Sequence, residues 1–167
     1  FGASDGVFVF HPDSTRKSNY VPSIVLSKLL IANENVMPGE NSVLKKGLDD
    51  IDKLVLSHKE NIFTIQYAAL DYSAPSEIQY TYILEGFEKA WNYVGKQRMA
   101  TYTNLPKGNY VFKVRSTNAD GVWTDNIRTL EIEILPSFWE TSFAYFLYVL
   151  FVLLIIVAAA YILFTIY

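Results

Sequence analysis

Cysteine is missing from this 167-residue sequence. Its absence excludes disulfides and thiolate metal sites, and leaves the compartment open, since exported bacterial domains also do without it. Histidine is nearly missing. His11 and His58 stand far apart with no carboxylate spacing around either, so each reads as a surface or turn residue rather than a metal ligand or general base. The third absence is local. All 31 formal charges (14 Lys and Arg, 17 Asp and Glu) fall in the first 140 residues, and Glu140 is the last of them. The net charge of −3 comes without a Lys/Arg cluster, so direct nucleic-acid contact is not expected. "FGASDGVFVF" has neither a basic start nor an apolar core long enough for a secretory signal. The sequence is therefore expected to be a piece of a longer protein whose export signal lies upstream.

What stands where charge is missing is an apolar block. Fifteen of the twenty-three residues from Phe143 to Thr165 are Leu, Ile, Val or Phe, and no polar stripe interrupts them. A soluble core helix is usually shorter and keeps a polar side. Each such residue favours insertion by about 0.3–0.6 kcal/mol, and helical rise carries the block across a hydrocarbon layer of roughly 30 Å. Trp139, Tyr145 and Tyr148 at one end, with Tyr161 and Tyr167 at the other, suit two interfacial belts. One transmembrane helix is expected over residues 142–165. No Lys or Arg occurs between Thr129 and the block, which places residues 1–140 on the non-cytoplasmic side under the positive-inside tendency.

Before the helix the hydrophobic period is two. "EIQYTYILEG" sets Ile78, Tyr80, Tyr82 and Leu84 on one face against Glu77, Gln79 and Thr81. "NYVFKVRSTN" sets Tyr110, Phe112 and Val114 against Lys113 and Arg115, and "TLEIEIL" sets Leu130, Ile132 and Ile134 against Glu131 and Glu133. Such alternation indicates antiparallel strands with one wet face. "PSIVLSKLLIAN", "DKLVLSH" and "RMATYT" read as further strands, and "NIFTIQYAAL" as a central one. Turn signals in "SAPSE", "LPKGN" and "NADG" separate them. About seven short strands at this spacing predict an all-β, immunoglobulin- or fibronectin-like antiparallel sandwich over residues 21–136. The first fifteen residues fall outside the pattern. Their Gly-rich turn and short apolar strand suit the last strand of an upstream β-propeller blade.

No catalytic, metal or cofactor site is expected. "LDDID" at 48–52 lacks the glycine and alternating oxygen ligands of a calcium loop and reads as an acidic turn. Glu85 and Glu88 alone do not indicate glycosidase chemistry, and no nucleophile elbow is present. Tyr80, Tyr82, Trp91, Tyr102, Tyr110 and Trp123 could form a sugar platform, but Tyr80, Tyr82 and Tyr110 share faces with core residues and read as packing. Trp91 and Arg98 lie in irregular stretches where a cation–π contact could join them.

The stretch "YTYILEGFEKAWNYVGKQRMATYTNLPKGNYVFKVRSTNADGVW" resembles the triple-tyrosine domain of bacterial two-component regulators. The matching positions are Tyr82, Leu84, Gly86, Trp91, Arg98, Tyr102, Leu105, Gly108, Tyr110, Asn118, Gly121 and Trp123, and either Tyr80 or Tyr82 can serve as first tyrosine. The opening "FGASDGVFVFHP" is similar to the end of the last propeller blade in such regulators, especially the hybrid sensors of gut Bacteroidetes, and the membrane helix sits where theirs does. The resemblance implies upstream propellers that take up a glycan-derived ligand, a sandwich in the periplasm, one span of the inner membrane, a homodimer and a cytoplasmic histidine kinase. The segment itself would perform no chemistry. Pro136, Phe138 and Trp139 would form the junction that couples the sandwich to the helix. A membrane-anchored adhesion or binding module, and a transmembrane transcription regulator with a cytoplasmic DNA-binding domain, remain alternatives, and the residues beyond Tyr167 would separate them.

Overall fold

The computed structural model describes residues 2–3, 6–7 and 19–166. Short strands β1 (Gly2–Ala3) and β2 (Gly6–Val7) pair antiparallel, Gly2 opposite Val7 and Ala3 opposite Gly6. The rest of the expected propeller strand, including Phe8, Val9, Phe10 and His11, lies outside the described residues, as does Tyr167.

Strands β3 (Ile24–Ile31), β4 (Glu34–Asn35), β5 (Lys53–Leu56), β6 (Ile62–Ala69), β7 (Tyr80–Glu85), β8 (Asn92–Gly95), β9 (Met99–Thr103), β10 (Gly108–Ser116) and β11 (Arg128–Ile134) build two sheets. One runs β5-β11-β10-β7-β8 and the other β4-β3-β6-β9. Their inner faces enclose a common apolar core. The alternating segments deliver that core: Tyr110, Phe112 and Val114 from β10 meet Leu130, Ile132 and Ile134 from β11, and all six are buried. On β3 the alternation slips. Leu26 and Leu29 both point inward because the register shifts between Leu26 and Lys28, as an inserted bulge residue requires.

The structure departs from the sequence expectation in three places. β5 lies parallel to β11, with Leu54 opposite Ile132 and Leu56 opposite Ile134, so the sandwich is not purely antiparallel. Residues 36–52 make this pairing available by carrying the chain from one sheet to the other, through a 3-10 turn at Leu48–Asp50. β8 was not expected as a strand, and it forms the edge next to β7. The acidic turn also has a structural task, because Asp49 Oδ1 accepts the Leu26 amide at 2.9 Å and Arg128 Nε at 3.2 Å.

After β11, residues 135–141 lead into helix α1 (Ser142–Ile166). At 1.5 Å per residue its 25 residues span about 37 Å, more than a hydrocarbon layer of roughly 30 Å. Mean hydropathy is 3.0 over Ser142–Thr165, and its most apolar window is covered by no other part of the chain. A helix bare along its most apolar window has no aqueous home, so α1 is the one candidate membrane span among the described residues.

Candidate functional site

The aromatic centre of the sandwich forms where strands of both sheets bring their inward positions together. Tyr67 on β6 lies 5.4 Å from Tyr80, 6.3 Å from Tyr82 and 6.2 Å from Phe112 between ring centroids. Tyr82 in turn lies 6.2 Å from Tyr102 and 5.9 Å from Phe112, and Phe63 stands 5.7 Å from Tyr102. These separations are in the favourable range for tilted and edge-on aromatic pairs. Buried hydroxyls need partners. Tyr80 accepts the Ala69 amide at 3.1 Å, and Tyr102 donates to Glu88 Oε2 at 3.3 Å. Glu88 is a hub: the same oxygen accepts the Leu84 amide at 2.6 Å, and Oε1 accepts Asn92 Nδ2 at 2.7 Å. One carboxylate thus pins the β7–β8 turn to the core. Burial pushes the Tyr67 and Tyr102 phenols well above their ordinary value, and the Glu88 carboxylate adds to the shift at Tyr102. Leu84 and Tyr102 are buried, and Tyr82 is half-buried at the edge of the cluster.

Tyr110 connects this centre to the membrane end. Its ring is buried on β10, while its hydroxyl donates to the Pro106 carbonyl at 2.8 Å, tying down the loop that follows β9. Gly86 permits the arrangement: its φ is +94°, and a Cβ there would sit 3.1 Å from Tyr110 Cδ1 and 3.2 Å from the Asn109 carbonyl oxygen. Leu105 from the same loop packs on the core. Lys107, beside Gly108 at the start of β10, reaches Glu140 Oε2 at 3.7 Å and so touches the segment that enters α1.

That segment has little slack. Leu135 still donates to the Leu56 carbonyl at 2.8 Å, as a continuation of the sheet. Pro136 fixes its own φ, and Phe138–Glu140 forms a 3-10 turn. Thr141 is extended and caps the helix: its Oγ1 accepts the Ala144 amide at 3.3 Å and donates to the Phe138 carbonyl at 2.7 Å. Phe138 and Trp139 meet edge to face at 5.5 Å and are largely exposed, as is the Tyr145–Tyr148 pair just inside the helix. Exposed aromatics on both sides of the helix start suit the interfacial layer.

The remaining motif positions gather elsewhere. Arg115, on the outer face of β10, lies 5.1 Å from the Trp91 ring centroid and 5.4 Å from that of Trp123, and Tyr93 meets Trp123 edge-on at 5.7 Å. In register, Thr81 of β7 lies between Arg115 of β10 and Tyr93 of β8, and Thr81 and Ile83 are buried there although they lie outside the main core cluster. The cation facing Trp91 is therefore Arg115. Arg98 is engaged elsewhere, donating through Nη2 to the Pro75 carbonyl at 2.6 Å. Asn118 is buried and folds the β10–β11 turn, its Oδ1 accepting the Asp120 amide at 3.1 Å and the Val122 amide at 3.0 Å, with Gly121 at φ +74°. Sequence reasoning missed Tyr67 as the aromatic hub, Glu88 as the turn anchor and Arg115 as the stacked cation. It also missed Asp71, whose carboxylate accepts Ser73 Oγ and N at 2.5 and 3.0 Å and the Ala119 amide at 3.2 Å. Those bonds hold the Asp71 carboxyl below its usual value, the Ser73 hydroxyl contributing most.

The Y_Y_Y domain model matches residues 71–135. Over 151 residues the chain is 34% identical to Histidine kinase P4 of Formosa agariphila, an overlap of 90% of this chain and 11% of that protein. The extracellular domain of BT4673 from B. thetaiotaomicron superimposes with a TM-score of 0.63 at 28% identity, covering 71% of this chain and 16% of that one. That of BT3049 from the same organism gives 0.56 at 26% identity, covering 71% and 16%. BT3049 is described as a hybrid two component system, and BT4673 as a one component system in one structure and a hybrid two component system in another. The chain spans about a tenth to a sixth of the length of these relatives. Its solved likenesses are the extracellular domains of these proteins.

Proposed function

We propose, from the match of residues 71–135 to the Y_Y_Y domain model, that this chain is the membrane-proximal segment of a sensor histidine kinase and passes a ligand-induced change through a single membrane helix. Residues 21–136 are the coupling domain, residues 142–165 the span of the inner membrane, and residues 1–15 the end of an upstream propeller that binds a glycan-derived ligand. The receptor works as a homodimer, because two helices side by side can report a change in their spacing or rotation. The kinase lies beyond Tyr167.

The observation that carries this reading is the stiffness of the link. From the last sheet hydrogen bond at Leu135 to the capping contact at Thr141, every stretch of residues 135–141 is held by a proline, a 3-10 turn or a side-chain bond. Lys107 adds a tether from the sandwich to Glu140. A passive anchor has no need of such constraint, since a flexible tether holds a domain at a membrane equally well. Inserting a run of Gly and Ser between Leu135 and Phe138 supplies free rotation while leaving sandwich and helix intact. In the full-length receptor this insertion abolishes ligand-dependent output; full retained output makes the segment an anchor, as in the adhesion alternative. The description of BT4673 as a one component system keeps a cytoplasmic DNA-binding domain as the second reading. A kinase phosphoacceptor box or a helix-turn-helix after Tyr167 decides between them.

A further inference from the structure

We propose that the cleft at the membrane end of the sandwich is a binding site for the phosphoethanolamine headgroup of a bilayer lipid. The proposal rests on the reading of α1 as a membrane span. The cleft measures about 310 Å³ and opens between the β5–β6 loop, the β9–β10 loop and the segment leading to α1. That volume lies at the lower end of the range of small-molecule sites, roughly 300–1,000 Å³. Phe63 and Ile134 of the core form its apolar floor.

Position identifies the class of occupant. Glu140 lines the cleft and precedes the first helical residue, Ser142, by two positions. Two residues of chain span at most about 7 Å, and the headgroup layer of one leaflet is about 5–8 Å deep. The uncharged block begins directly after Glu140, so the mouth of the cleft and the lipid headgroups occupy the same depth.

Chemistry identifies which headgroup. Three of the charged lining residues are the cation Lys107 and the carboxylates Glu60 and Glu140; His58 stands with them. Lys107 and Glu140 are half exposed and pair at 3.7 Å, an exposed ion pair weak enough for the charges of a zwitterionic ligand to replace. Glu60 accepts the Ser57 amide through Oε2, which leaves Oε1 for a donor. Asn104 uses its carbonyl oxygen on Asn61 Nδ2 at 3.0 Å, which leaves its own amide hydrogens for an acceptor. A primary ammonium therefore finds two carboxylates, and the phosphate beside it finds Lys107 and the Asn104 amide. A choline headgroup has no N–H to donate to the carboxylates, and a glycerol headgroup offers them no cation. The site favours ethanolamine lipids over both.

The test is native mass spectrometry of the full chain after purification with an equimolar mixture of phosphatidylethanolamine, phosphatidylcholine and phosphatidylglycerol. Wild-type chain retains the ethanolamine lipid in preference to the other two. Lys107→Glu reduces that retention by about fivefold, the size of one exposed charge contact, whereas Lys107→Arg keeps it. Lys96→Glu leaves it unchanged, because Lys96 pairs with Glu77 outside the cleft. Near-ultraviolet circular dichroism of each variant verifies the fold, and an unchanged spectrum is expected because Lys107 and Glu140 are both half exposed. Equal retention of the glycerol lipid, or retention indifferent to Lys107→Glu, overturns the headgroup site and leaves the membrane span standing. A full chain that stays dispersed in buffer without lipid overturns both.

Discussion

Replacing Tyr110 by Phe and by Ala separates two jobs that one side chain performs. The phenylalanine variant keeps the ring and removes only the hydroxyl that donates to the Pro106 carbonyl at 2.8 Å. Pro106 is exposed, so water can take over its carbonyl and no buried acceptor is stranded. The cost then lies near the middle of the range for a net hydrogen bond, about 1 kcal/mol. The alanine variant also removes a ring that is 7% exposed and packed against Gly86 and the core. A large-to-small change of this kind costs about 3–5 kcal/mol in total, so the ring accounts for roughly 2–4 kcal/mol. Urea unfolding of the full chain in detergent, followed by near-ultraviolet circular dichroism, measures both. Equal costs for the two variants would show that the ring packs against nothing of consequence. An alanine cost below about 1 kcal/mol would remove Tyr110 from the core.

Three further changes follow from the same geometry. Gly86→Ala destabilises by about 1–3 kcal/mol, because φ is +94° and the new Cβ meets both Tyr110 and the Asn109 carbonyl; thermal unfolding reads this. Trp91→Ala costs about 0.5–1 kcal/mol through the lost cation–π contact with Arg115, whereas Arg98→Ala leaves the Arg115 stack unchanged; tryptophan fluorescence distinguishes the two. The pH dependence has two limbs. Asp71 is held below its ordinary 3.8, so its contribution is complete above that value and is lost as pH falls through the lower, folded value, a slope that Asp71→Asn removes. Tyr67 and Tyr102 are held above 10, so their contribution is complete below pH 10 and declines as pH rises beyond it.

The strands most legible in the sequence were those with one wet face. In β10 and β11 a strict period of two records which side chains are inside, and the same residues are buried in the sandwich. Direction leaves no such record. "DKLVLSH" alternates whether it runs parallel or antiparallel to its neighbour, so the parallel pairing of β5 with β11 could not be read from it. β8 escaped because its four residues follow a tryptophan and end on Gly95, and its pairing depends on the turn before it. That turn is fixed by Glu88, whose role needs three donors brought together by folding; no spacing rule announces it. The Trp91 partner was misplaced for a related reason. Arg98 is nearer in sequence, yet Arg115 is brought closer by the pairing of β10 with β7. The junction was legible in part: Pro136 and the abrupt loss of charge mark it, while the tether from Lys107 depends on the loop that Tyr110 holds.

The central claim is that the junction transmits motion, and the absence of native cysteine in this segment makes it directly measurable. A single cysteine introduced at Phe143, in the first turn of α1, reports the approach of two helices through its rate of disulfide cross-linking in the full-length receptor. The account predicts that adding the receptor's inducing ligand changes this rate, and that a Gly/Ser insertion between Leu135 and Phe138 removes the change while leaving ligand binding intact. A cross-linking rate indifferent to that ligand in the uninterrupted receptor, or a response that survives the insertion, would contradict it.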